Sequence, residues 1–453
     1  MRKLGFQEEW IRLIMMCVTT VSYSVLINGE PKGKITPTRG LRQGDPISPY
    51  LFLLCAEGLT AMFRRDEREG LINGIFVCRG APKISHLLFT NDCIIFREAS
   101  VREGSRVLKV LDDYERESGQ KLNREKTSLF FSKNTSRETQ QEIKDSFRAQ
   151  IVNKHERYLG LPTLVGRGKR KAFNKIKDQV GRKIAGWKGK LLSNVGREIL
   201  IKVVAQATAT YTMSCFKLPD SLYRELNALV SQFWWGQKEK ERKMAWISWE
   251  EMCTPKLEGS MSFKDLKAFN LALLAKQGWR LNQYPNSLIH RVFKAKYFAE
   301  CTFMEAQVGK KPSYVWRSLM ATKETIEAGS RWLIGNGRKV NIWCDRWLQS
   351  PDSFKVISSQ RHNTDVEMVA QLIDNEVSTW KAKFIREVFL PHEVDIILSI
   401  PLSPQIPEDS KVWAWSKNGL FTVRSVYGVS LKLLRKTSLT RPIGDSSDKT
   451  KVA

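Results

Sequence analysis

The sequence lacks closely spaced cysteines. Eight are spread over 453 residues, and the closest two, Cys78 and Cys93, are 15 residues apart. With no Cys-x-x-Cys pair, neither a zinc ribbon nor a disulfide scaffold is expected, and no zinc. Scattered thiols suit a reduced, intracellular protein. Long apolar runs are missing too, so no membrane partner is expected. Arg2 and Lys3 precede an apolar stretch over 11–18. Arg12 interrupts it, Glu8 and Glu9 precede it and Thr19-Thr20 follow it. An amphipathic helix over 7–18 is expected there rather than a signal peptide. The chain has no G-x-x-x-x-G-K-[ST] phosphate loop, no H-E-x-x-H zinc signature, no nucleophile elbow and no repeat at solenoid spacing. Acidic charge is in deficit: 47 Asp+Glu face 74 Lys+Arg, a net charge of +27. That excess points to a polyanion, most simply RNA or DNA, with a generally basic surface as the alternative.

What is present is local and ordered. Residues 21–27 and 32–36 read as two strands joined at Asn28-Gly29, the strongest hairpin dipeptide. Arg42-Gln43-Gly44-Asp45-Pro46-Ile47-Ser48-Pro49 reads as a turn feeding a helix over 49–67, with Ser48 as N-cap and Pro49 in its first turn. His86-Leu87-Leu88-Phe89-Thr90-Asn91-Asp92-Cys93-Ile94-Ile95-Phe96 reads as a hairpin with Thr90, Asn91 and Asp92 at its tip. An amphipathic helix follows over 101–118, closed by Gly119, then a strand over 127–131.

Between 154 and 190 twelve Lys or Arg residues face only Glu156 and Asp178. Phe173, Ile176, Val180, Ile184 and Trp187 recur there at helical spacing, which leaves a largely cationic opposite face. Lys169, Arg170, Lys171 and Lys175 on that face are candidates for nucleic-acid backbone contacts; a merely solvated face is the alternative. A second helix is expected over 194–215, with Val195, Ile199, Val203 and Ala207 at helical spacing. Beyond 236 tryptophans are frequent and read as core markers. Residues 331–337 and 342–347 look like two strands around a Gly-Asn-Gly turn, and 412–423 like a hairpin with an Asn-Gly tip. Residues 436–453 are polar and expected to be disordered.

In this order, the Gln43-Gly44-Asp45-Pro46 segment and the Phe89-Thr90-Asn91-Asp92 hairpin resemble two motifs of reverse transcriptases, most closely those of plant LINE-type (non-LTR) retrotransposons. The resemblance implies an α+β fold. A partial polymerase palm over 1–132 is followed by a helical, basic, thumb-like region over 133–235, a Trp-rich mixed region over 236–435 and the tail. It implies an RNA or DNA template-primer as partner, Mg²⁺ as cofactor and a nuclear location. Gln43 and Gly44 would lie against template and nucleotide. Asn123 and Lys126, within Gly119-Gln120-Lys121-Leu122-Asn123-Arg124-Glu125-Lys126, would lie near the incoming nucleotide. Tyr158-Leu159-Gly160-Leu161-Pro162 resembles the segment that supports the primer end. Residues 412–423 resemble the start of a zinc-finger-like region whose downstream Cys and His residues are missing.

In that family the hairpin tip carries two adjacent aspartates. Here the catalytic pair is Asn91 and Asp92, leaving Asp92 as the metal ligand. Met1-Arg2-Lys3-Leu4-Gly5-Phe6 matches the segment after the family's first aspartate motif, so that carboxylate is expected to lie outside this chain. Phosphoryl transfer by two Mg²⁺ ions needs several carboxylates. The expectation is therefore an inactive reverse-transcriptase-like protein. The alternatives are a non-catalytic basic nucleic-acid-binding protein, or a transposon remnant without a selected function.

Overall fold

The computed structural model describes residues 1–37, 44–152, 157–163, 165–166, 168–188, 192–236, 244–350, 353–360, 366–374 and 376–439. They form two units, Met1–Tyr158 and Leu159–Ala453. Helices and short strands are mixed, an α+β composition as expected.

The first unit opens with α1 (Glu8–Thr19), of which only Ile14 is buried. Next come β1 (Tyr23–Ile27) and β2 (Glu30–Ile35), an antiparallel pair closing at Ile27↔Glu30. Asn28 and Gly29 both have positive φ (53° and 86°), the type I′ geometry that matches strand twist. Helix α2 (Ser48–Arg68) starts one residue earlier than expected. Ile47 is its N-cap instead of Ser48, and the Asp45 carboxylate accepts from the Ile47 amide at 2.9 Å.

After α2 come β3 (Ile75–Phe76), β4 (Lys83–Ile84), β5 (His86–Phe89), β6 (Asp92–Ile95), α3 (Val101–Ser118), β7 (Ser128–Leu129), α4 (Arg137–Phe147), β8 (Gln150–Ile151) and β9 (Arg157–Tyr158). Ser100 accepts from the Glu103 amide to cap α3, and Gly119 ends it at φ 72°. The core joins Leu59 and Phe63 of α2, Val107, Val110 and Leu111 of α3, and Ile143 and Phe147 of α4. The strands of this unit form two-stranded pairs: β1–β2, β3–β4 and β5–β6 antiparallel, β7–β8 parallel. Strands of two to six residues offer few ladder bonds, and here helix packing supplies the core.

The second unit begins with β10 (Leu161–Pro162), α5 (Lys169–Lys188), α6 (Asn194–Ile199), a π-helical turn at Leu200–Ala205, α7 (Thr210–Cys215) and α8 (Asp220–Trp234). Phe173, Ile176, Val180 and Ile184 of α5 are buried in one core with Leu222, Leu226, Val230 and Phe233 of α8, as the periodicity predicts. The single helix expected over 194–215 is broken. Val195, Ile199 and Val203 of its anticipated stripe are 65%, 55% and 66% exposed, whereas Ile201, Ala205, Ala209 and Met213 are buried. The buried residues keep the same four-residue spacing but are offset by two positions, about 200° around the helix, so the opposite face turns inward.

Next come α9 (Trp249–Met252), α10 (Leu266–Gln283), α11 (Leu288–Tyr297), α12 (Tyr314–Met320) and α13 (Lys323–Gly329). Helix α10 is apolar nearly all round, with buried residues on every face. Its one buried amide, Asn270, accepts from the Leu218 amide (2.8 Å) and the Tyr223 hydroxyl (2.5 Å). It also donates to the Met213 (2.6 Å) and Phe216 (3.0 Å) carbonyls. The chain ends with β11 (Ser330–Leu333), β12 (Ile373–Asp374), β13 (Thr379–Trp380), α14 (Ala382–Val388), α15 (Pro391–Ser399), β14 (Ser410–Trp413) and α16 (Val423–Leu439).

Both hairpins expected here are replaced. β11 pairs with β14, from Ser330↔Trp413 to Leu333↔Ser410. The Gly335–Gly337 loop instead wraps the buried Asp409 carboxylate, which accepts from the amides of Gly335, Gly337 and Lys339. Trp316, Trp347 and Trp413 are fully buried, in line with the core reading, while Trp246 is 79% exposed. Helix α16 carries Lys436–Leu439, so these residues of the expected disordered tail are helical; 440–453 lie outside the described residues. Among the described residues no helix is long and apolar enough to cross a membrane.

Candidate active site

The hairpin tip is positioned by packing on one face only. Leu88 and Ile95 pack on the α2–α3 core, and the His86 ring stacks on Phe63 of α2 at 5.1 Å. Burial lowers the His86 pKa, which keeps that ring neutral in its stack. Alternation then turns Leu87, Phe89, Asp92 and Ile94 to the other face. Leu87 and Phe89 are 38% and 51% exposed, which agrees with that alternation.

The register narrows the expected tip. Phe89 pairs with Asp92, so Asp92 is the first residue of β6 and the turn is Thr90-Asn91 alone. Thr90 has φ 48°, in the left-handed region that β-branched residues avoid. Its hydroxyl donates to Asn91 Oδ1 at 3.1 Å. The tip thus presents one amide and one carboxylate side by side, both exposed. This donor set does not fit a two-metal centre, which needs oxygen ligands carrying several negative charges. Among the described residues no group of three or more His, Cys, Asp or Glu could hold a metal ion.

The remaining candidates are distributed as follows. Gln43 lies outside the described residues. Gly44 has φ 87°, a conformation that favours glycine. Asn123 and Lys126 share one turn: Asn123 Oδ1 accepts from the Lys126 amide at 3.2 Å, which engages the side chain locally. Lys126 is exposed.

Lys169, Arg170, Lys171 and Lys175 belong to α5 of the second unit, and all four are exposed. They are not equivalent. Arg170 meets Glu225 of α8 at 2.6 Å, and Lys177 meets the same carboxylate at 2.8 Å. Lys169 lies 5.4 Å from the centre of the Tyr314 ring. Lys171 and Lys175 extend into solvent, four residues apart and so on one face.

Sequence reasoning missed one ion pair that supports the site. Asp66 of α2 is fully buried and takes both a 2.7 Å bond from Arg106 Nη2 and one from Arg106 Nε. It ties α2 to α3. Asp66 sits in the charged run Arg64-Arg65-Asp66-Glu67-Arg68, where nothing in the sequence sets the buried acid apart from its solvated neighbours.

Comparison with known proteins decides the family. Residues 1–163 match the model for reverse transcriptase (RNA-dependent DNA polymerase). An uncharacterized mitochondrial protein of Arabidopsis thaliana is 39% identical over 143 residues, 31% of this chain and 93% of that protein. The chain belongs to the plant retrotransposon reverse transcriptases. A second Arabidopsis mitochondrial protein is 55% identical over 67 residues, 15% of this chain and 55% of that protein. A retrovirus-related Pol polyprotein from the type-1 retrotransposable element R2 of Popillia japonica is 27% identical over 147 residues, 32% of this chain and 23% of that protein. The chain thus spans nearly all of the first of these relatives, about half of the second and under a quarter of the third. Reverse transcriptases generally use divalent metal ions and bind a nucleic-acid template-primer.

Proposed function

We propose that this chain is a reverse-transcriptase-like protein that binds RNA or DNA but does not extend a primer by itself. On that reading 1–132 correspond to palm elements and the helices of 133–235 to thumb-like ones. One observation carries it: the β5–β6 turn holds Asn91 where the family pattern has an aspartate. An amide oxygen can ligate Mg²⁺ but adds no charge to offset the triphosphate and the leaving group. Gly44, Asn123 and Lys126 remain the candidate nucleotide and template contacts.

Primer extension with purified chain tests the catalytic half. With Mg²⁺ or Mn²⁺, template-dependent incorporation stays at background. Asn91→Asp stays there too, because the tip then has two carboxylates and no third. Incorporation by the unaltered chain refutes the reading, and incorporation by the variant assigns the whole defect to one amide. The basic face of α5 favours retained, sequence-independent nucleic-acid binding, located on phosphates by Lys169, Lys171 and Lys175.

A further inference from the structure

A second cationic feature lies far along the chain from both the hairpin and α5. In the second unit, the turn after β14 and one side of α16 enclose an open groove of about 410 Å³. Its lining includes Trp415, Thr422, Arg424, Ser425, Gly428 and Lys432, and no acidic residue. Lys432 Nζ lies 4.7 Å from the centre of the Trp415 ring. The Phe354 ring meets Trp415 edge-on at 5.8 Å and 87°. The indole is thereby held in place while remaining 38% exposed.

Arg424 precedes Lys432 by eight residues, which puts the two about 12 Å apart along the helix axis. Both are exposed, and among the described residues neither has an acidic partner. Gly428 leaves the floor open, since a Cβ there would meet nothing within 4 Å. The Thr422 and Ser425 hydroxyls bond to each other at 2.8 Å and to the start of α16, which fixes them at the groove's edge.

We propose that this groove is a binding site for single-stranded nucleic acid. Trp415 takes a base on its exposed surface, and Arg424 and Lys432 take flanking phosphates. A free phosphate would use the cations but not the indole. A strand needs both, and stacking on an aromatic surface tolerates any base.

The test uses the full chain and a fluorescent oligouridine followed by anisotropy. Arg424→Ala combined with Lys432→Ala weakens binding and lowers the log–log salt slope by about 1.4, from about 0.7 per phosphate contact on a single strand. Trp415→Ala weakens binding about 5- to 160-fold, and Trp415→Phe retains most of the affinity. A photoreactive oligouridine crosslinks to the peptide bearing Trp415. Because Trp415 packs on Phe354, its alanine variant can lose structure. The exposed Arg424 and Lys432 pair keeps the test decisive. An unchanged slope in that double variant, equal binding of an abasic strand, or competition by an acidic peptide but not by oligouridine overturns the proposal. The α5 variants report on a different surface, so failure here is distinguishable from failure of the general nucleic-acid reading.

Discussion

The ion pairs on α5 make the nucleic-acid reading sharply testable. Four cations were candidates for phosphate contacts, but Arg170 shares the partly buried Glu225 with Lys177, whereas Lys171 and Lys175 face solvent without a charged partner among the described residues. Consider Lys171→Ala with Lys175→Ala, against Arg170→Ala alone. Each phosphate contact contributes about 0.7 to the log–log salt slope on a single strand and about 0.9 on a duplex. Losing two contacts flattens the slope by about 1.4 or about 1.8. Between about 50 and 200 mM salt, a fourfold change, the affinity gap between wild type and double variant narrows about 7-fold on a single strand and about 12-fold on a duplex. Arg170→Ala instead breaks a largely exposed pair and leaves the slope close to wild type. Anisotropy titrations over that salt range read both effects. The reasoning fails if Arg170→Ala flattens the slope as much as the double variant does, or if the double variant leaves it unchanged.

Two stability predictions address the scaffolds. Asn270→Ala strands four partners in a dry core, costing about 4 kcal/mol or more, while Tyr223→Phe removes one bond and costs about 1 kcal/mol; similar small shifts for both in urea unfolding would refute this. In the first unit, Arg106 holds the Asp66 carboxyl below its usual range, so the pair stabilises above about pH 4 and the contribution is lost as pH falls through the depressed folded value. Arg106→Gln therefore costs about 3 kcal/mol at neutral pH and less in acid, where Asp66 protonates. Hydrogen exchange of the α2 and α3 amides at both pH values measures it, and an equal loss at both contradicts the assignment.

Signals confined to one turn or one helix face were legible in the sequence. Asn28-Gly29 adopts the turn its residue types demand, Ser100 and Gly119 bound α3, and the α5 stripe buries the residues its spacing selects. Misreadings arose where a distant partner decided the outcome. Asn418-Gly419 does turn, with Gly419 at φ 69°, but Thr422 and Ser425 cap a helix where a returning strand was expected. β14 was then free to pair with β11, about 80 residues earlier. No window of sequence holds both strands, so no local pattern could have joined them. The Trp415 groove was hidden for the same reason, since a turn and a helix face build it together.

The hairpin that carries the candidate residues was legible as an element but not in register. The motif marked Thr90, Asn91 and Asp92 as a tip, yet pairing withdraws Asp92 into β6 and leaves a two-residue turn. Only Thr90 of that turn has positive φ, the position where such turns prefer glycine. A β-branched residue there stores strain on the order of 1–3 kcal/mol, which the ladder and the one packed face of the stem must outweigh. The stem that supports it consists of Leu88, Ile95 and His86 on Phe63, none of which touches the chemistry. The packing that holds the hairpin in place therefore lies outside the two residues of its turn. On the proposed reading, an amide in place of an aspartate at position 91 leaves that stem packing intact, so the hairpin keeps its register whichever group stands at its tip.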